Sequence, residues 1–110
     1  MDIQFHTESI RQTCSSKAIA ERKFGQAVAL QLRNRLSDIR AAQNINEVLV
    51  GLKDKKINVL DQIRVVDLTN SYEMLLQANH RVNPKAGDGS VNWAAVDRVK
   101  VVSIEKEVSP

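Results

Sequence analysis

The sequence predicts an α+β domain, and three observations carry that expectation. Apolar residues recur every three or four positions through the first half of the chain. They alternate with polar residues in much of the second half, and one short alternating segment precedes both. The order strand, helices, then three strands suits helices packed on one side of a small, largely antiparallel sheet.

Ile3 and Phe5 alternate with Asp2, Gln4 and His6, which predicts a first strand with one buried face. Thr7 stands where a helix N-cap is needed, since its hydroxyl can accept from the first unbonded backbone amides. Ile10, Thr13 and Cys14 give that first helix its inner stripe. The Ser15-Ser16 pair breaks it, and Ser16 caps a second helix from Lys17 to Phe24. The strongest helix signal follows Gly25. Val28, Leu32, Leu36 and Ile39 share one face, while Gln31, Arg33, Arg35, Asp38 and Arg40 point elsewhere. Asn44 or Asn46 is expected to end or restart this helix, Gly51 to close the helical half, and Lys53-Asp54-Lys55-Lys56 to form a charged turn.

The period then changes to two. Ile63, Val65 and Asp67 alternate with Arg64, Val66 and Leu68, a β-branched run, and Thr69-Asn70-Ser71 reads as the turn into a partner strand from Tyr72 to Gln77. Asn83 to Ser90 is a loop by composition. Asn92 is placed to cap one turn carrying Trp93, Ala94 and Val96, before a last strand from Val99 to Ile104.

Length and composition narrow the function classes. A chain of 110 residues suits one domain spanning 1–110. Its apolar runs fall far short of the about 18 residues that a membrane span needs. The segment Met1 to His6 has neither the basic nor the apolar part of a secretory signal, so cytoplasmic localisation with no membrane partner is expected. One cysteine, Cys14, permits no internal disulfide and argues against a Cys-based zinc site. Nothing beside Cys14 in the sequence would activate it, and a small, buried apolar role is expected. The net charge of +3 permits an anionic partner without requiring one.

Several spacings resemble a known family. Ile3-x-Phe5-x-Thr7-x-x-Ile10-x-x-x-Cys14 looks like the opening of the HigB "killer protein" toxins of the RelE/ParE type II toxin–antitoxin superfamily. Gly25-Gln26-Ala27-Val28-Ala29 and Arg35-Leu36-Ser37-Asp38-Ile39-Arg40-Ala41-Ala42 continue the resemblance. So do Val66-Asp67-Leu68-Thr69-Asn70-Ser71-Tyr72 and the segment containing Gly87-Asp88-Gly89, Asn92-Trp93 and Val96. The resemblance implies a RelE/ParE-like fold, a small curved sheet flanked by helices. It also implies a cognate antitoxin protein, often of helix-turn-helix type, as partner, and ribosome-dependent mRNA cleavage with the ribosome and mRNA as targets. No cofactor and no metal is implied, because cations position the phosphate and stabilise its extra charge while the RNA 2′-hydroxyl attacks.

On that resemblance the candidate catalytic residues are Lys53, Lys55, Lys56, Arg64 and Tyr72. As isolated residues they have plainer roles open to them: a solvated turn for the lysines, an exposed strand position for Arg64, a hairpin side chain for Tyr72. His6 and His80 are bases by type but have no obvious partner. The chain departs from the family where an arginine usually follows the motif tyrosine, since that position is Glu73. Lys106, Glu107 and Val108 stand where the last strand often ends in Asp-Tyr-His. These departures open a second reading, a catalytically degenerate, toxin-like binding module that still takes an antitoxin. A third is a ParE-like toxin with a non-ribosomal target, resting only on shared fold.

Overall fold

The computed structural model of the chain describes residues 1–47, 52–53 and 63–106. Strand β1 (Asp2–Phe5) is followed by helices α1 (Glu8–Ser15), α2 (Lys17–Phe24) and α3 (Gln26–Ala41). The two-residue strand β2 (Leu52–Lys53) precedes β3 (Ile63–Asp67), β4 (Tyr72–Ala78) and β5 (Arg98–Lys106). The architecture is α+β, as the sequence predicts, with a mixed sheet in the order β1-β5-β4-β3-β2. β1 runs parallel to β5, and the other neighbours are antiparallel.

The helices begin where their caps place them. Thr7 Oγ1 accepts from the Ile10 N–H at 3.2 Å, and Ser16 Oγ accepts from the Ile19 N–H at 3.3 Å. Gly25 separates α2 from α3 with φ at +88° and ψ at 167°, a conformation adopted almost only by glycine that costs an L side chain about 1–3 kcal/mol. α3 then buries Val28, Ala29, Leu32, Leu36 and Ile39 against the sheet. The end of α3 is not an asparagine cap: Ala42 follows it, and its N–H returns to the Asp38 and Ile39 carbonyls. The amino group of Met1 donates to the carbonyls of Ile39, Arg40 and Ala42 at 3.3, 3.0 and 2.7 Å. A cation there suits the negative end of the helix dipole and satisfies acceptors the helix cannot. Asn44 lies before a short 3-10 turn, Ile45–Glu47, whose Glu47 N–H bonds the Asn44 carbonyl.

Two further local expectations are corrected. Lys53 belongs to a strand, not to a charged turn, because Leu52 and Lys53 pair with Val66 and Val65. Two residues are too few to show a period, so only the charged neighbours were legible; Gly51 and residues 54–56 lie outside the described residues. Asn92 precedes the 3-10 turn Trp93–Ala95 but makes no side-chain cap, and its carbonyl accepts from the Ala95 N–H instead.

The core lies between helices and sheet. Val66, Leu68, Met74, Leu76, Ala78, Val99 and Val101 meet the helical residues and buried Trp93 there. β5 carries a bulge: Leu75 faces Ser103 while Leu76 faces Val101, leaving Val102 as the extra residue. The bulge brings Ile104 onto the same face as Val99 and Val101, although Ile104 lies an odd three positions after Val101.

The β3–β4 connection is strained. Thr69, Asn70 and Ser71 all have positive φ (75°, 50° and 64°), closed by the Leu68 N–H to Tyr72 carbonyl and Tyr72 N–H to Thr69 carbonyl bonds, both 2.9 Å. Paired positive-φ residues make the tight turn that matches strand twist, and its second position favours glycine. Replacing exposed Ser71 by glycine should remove about 1–2 kcal/mol of left-handed strain. It should also return about 0.4–1 kcal/mol through the freer unfolded chain. The expected net effect of Ser71→Gly is stabilisation of about 0.5–1 kcal/mol, read as a higher urea midpoint at unchanged slope. A lower midpoint would show that the turn does not hold this conformation.

Candidate functional site

The residues nominated from sequence divide between separate environments. Arg64 lies on the helix-facing side of β3, paired in register with Leu76. Its guanidinium carbon stands 5.0 Å from the centroid of the Trp93 ring, a cation–π contact that fastens a half-buried cation to a core aromatic. Tyr72 shares that sheet face at the start of β4, with its ring 5.2 Å from that of Phe24 and inclined by 60°. Arg64 and Tyr72 are four residue positions apart along the ladder, about 13 Å at strand rise. They do not meet at one reacting atom. Lys53 occupies the register position of Val65, out of phase with Arg64. Lys55 and Lys56 lie outside the described residues.

Glu73 is the position that sequence reasoning saw only as a missing arginine. In β4 it sits on the sheet face away from the helices, yet it is only 4% exposed. Register places Asp67 beside it on β3 and Glu105 beside it on β5, so three carboxylates cross three strands in one row. Asp67 Oδ2 also accepts from the Thr69 N–H at 3.3 Å, and Glu105 Oε2 from the Ser103 hydroxyl at 3.3 Å. An ionised carboxylate offers acceptors only, and like charges directly opposite one another disfavour pairing. The signal that could have found this row is the spacing of Val101 and Ile104. It breaks the period of two, implies a bulge, and thereby turns Glu105 to the face of Glu73. Among the described residues no three His, Cys, Asp or Glu side chains are grouped to hold a metal ion.

The remaining reactive groups are structural in their surroundings. His80 Nε2 accepts from the Asp97 N–H at 3.3 Å and lies 3.3 Å from Asp97 Oδ1, so it ties the β4–β5 connection to the start of β5. His6 is exposed after β1. Cys14 packs against the core from α1, and burial pushes its thiol up to about 11, with the Arg40 charge acting weakly in the opposite direction. A thiol so placed is protonated at neutral pH and a poor nucleophile.

No protein-family model, curated protein or solved structure matches the chain.

Cys14 supplies a direct check of this geometry. Alkylation of the folded protein by iodoacetamide should be slow at pH 7.5, its rate rising toward a half-maximum near pH 11. The unfolded chain should reach half-maximum at about 8.5. Because the folded group holds its proton longer, its contribution to stability is complete below the unfolded value and is lost as pH rises toward 11. Equal alkylation rates in folded and unfolded protein would place the thiol in solvent.

Proposed function

We propose that the chain is the toxin component of a type II toxin–antitoxin module of the HigB-like kind, acting in the cytoplasm on translation by ribosome-dependent mRNA cleavage. The observation that carries the reading is where the resembling motifs fall. Thr7 caps α1, Gly25 makes the break before α3, Asp67 to Tyr72 spans the strained turn, and Trp93 anchors the approach to β5. Motif residues at the junctions of an α+β fold support a shared architecture more than scattered surface matches would. In this reading Lys53, Lys55 and Lys56 supply the cations for the phosphate, with Arg64 and Tyr72 bracing β3 and β4.

One observation favours the second reading, a toxin-like binding module without cleavage. Glu73 replaces a donor by an acceptor and is buried, so it cannot meet an RNA phosphate. Loss of one donor to a developing oxyanion costs about a hundred- to a thousandfold in rate. The lysines would then have to supply the chemistry without it.

Incorporation of labelled amino acid after tightly induced expression in bacteria separates the two. Arrest by the native chain, relieved by the adjacent gene product and lost in Lys55→Ala/Lys56→Ala, is the outcome expected of a cleaving toxin. Undiminished synthesis, together with a stable complex with the adjacent gene product, would remove cleavage and leave the binding module. Undiminished synthesis with no complex would remove the toxin–antitoxin reading altogether.

A further inference from the structure

The net charge of +3 is unevenly placed. Between Glu8 and Ala41 the helical layer carries seven Lys or Arg against three Asp or Glu, a net +4. All other residues carry nine against ten, a net −1. Each of the three helical acids is already engaged within its own helix: Glu8 with Arg11, Glu21 with Lys17 at 3.7 Å, and Asp38 with Arg35 at 2.8 Å. Among the described residues the excess of cations therefore lies on the helical layer and not on the sheet face that bears Glu73.

Within that layer a groove of about 280 Å³ opens between α2 and α3, lined by Lys17, Glu21, Gln26, Ala29, Leu30 and Arg33. Ala29 is buried and forms its floor, while Leu30 is 55% exposed. Leu30 and Val82 are the exposed large hydrophobics among the described residues, and Leu30 lines this groove. Arg33, one turn from Leu30, is exposed and makes no ion pair or hydrogen bond with another described residue.

We infer that the α2–α3 groove docks an acidic amphipathic helix of the partner protein, with an apolar side chain seated against Ala29 and Leu30 and a carboxylate on Arg33. The inference rests on the toxin–antitoxin reading for the existence of that partner and goes beyond it in assigning the surface. The groove lies at the low end of the about 300–1,000 Å³ of small-molecule sites and has room for one or two side chains of a helix. Arginine's planar fork takes a carboxylate in two parallel hydrogen bonds. Lys17, on a long exposed stem, can add a second contact at the rim. Nucleic acid fits less well, because the floor is apolar and the Glu21 carboxylate lies among the cations. A second copy of this chain fits less well too, since a self-complementary contact would set cations against cations.

The test is calorimetric titration of the purified chain with the purified product of the adjacent gene. Leu30→Glu and Arg33→Glu should each weaken binding by about tenfold or more, as loss of an anchoring contact does. Arg98→Glu makes the same charge change at an exposed position on β5 and should leave affinity within about twofold. Leu30→Ala keeps helix propensity and should lose affinity in the same direction, which guards against a folding artefact in Leu30→Glu. A native complex that all the groove variants match overturns the groove and leaves the toxin–antitoxin reading intact. Absence of any native complex overturns both. Binding of a 20-nucleotide single-stranded RNA that Arg33→Glu abolishes, or a native dimer in sedimentation equilibrium that Leu30→Glu dissolves, assigns the groove to a different occupant and overturns the inference.

Discussion

The pairing of β1 with β5 is the constraint on which the rest of the fold depends. Among the described residues, 2–5 have one strand neighbour, and it is formed by residues 98–101. A parallel pair cannot be closed by a tight turn and needs a crossover, which the three helices and the β3–β4 hairpin together provide. Val99 and Val101 are fully buried at this seam, where β5 bonds β1 on one side and β4 on the other. Once β1 is seated, Met1 brings its amino group onto the last carbonyls of α3. The same seam thus fixes both the sheet order and the end of the longest helix.

The helical half was legible because its signals are local. A hydroxyl cap needs only its own residue and the amides three positions on, and the four apolar positions of α3 declare one face without reference to anything distant. The hairpin was legible for the same reason. Sheet order was not, since alternation says which face a residue takes and nothing about which strand lies beside it. Glu73 shows the consequence. Its face followed from alternation, but its neighbours followed from register, and register with β5 turns on a bulge at Val102. Of the candidate site, residue types were readable and their convergence was not. Arg64, a candidate catalytic cation whose plainer role is an exposed strand position, lies half-buried over Trp93, a residue about thirty positions later in the chain.

The two layers differ in what they can bind. Across β3, β4 and β5 the sheet presents a row of carboxylates, one of them buried, at the end nearest the hairpin turn. The helical layer presents the excess of cations, and its acids are engaged within their own helices. An acidic partner segment approaching the described surface meets its favourable potential on the helices. Sequence-wide charge could not show this, because a total of +3 is equally compatible with an even spread.

Cleavage and docking also make unequal demands on such a scaffold. A cleavage site needs several donors held around one phosphate, and a displacement of about 1 Å can cost a hundredfold in rate. Arg64 and Tyr72 are held by ring contacts to Trp93 and Phe24, which fixes them firmly but at places that do not converge. A docking groove spreads its affinity over a few anchors and a surrounding rim, so it tolerates change at most positions. Arg64, Tyr72 and the buried Glu73 therefore do not supply a set of donors around one phosphate. Partner recognition needs only the outer surface of helices whose inner faces already form the core.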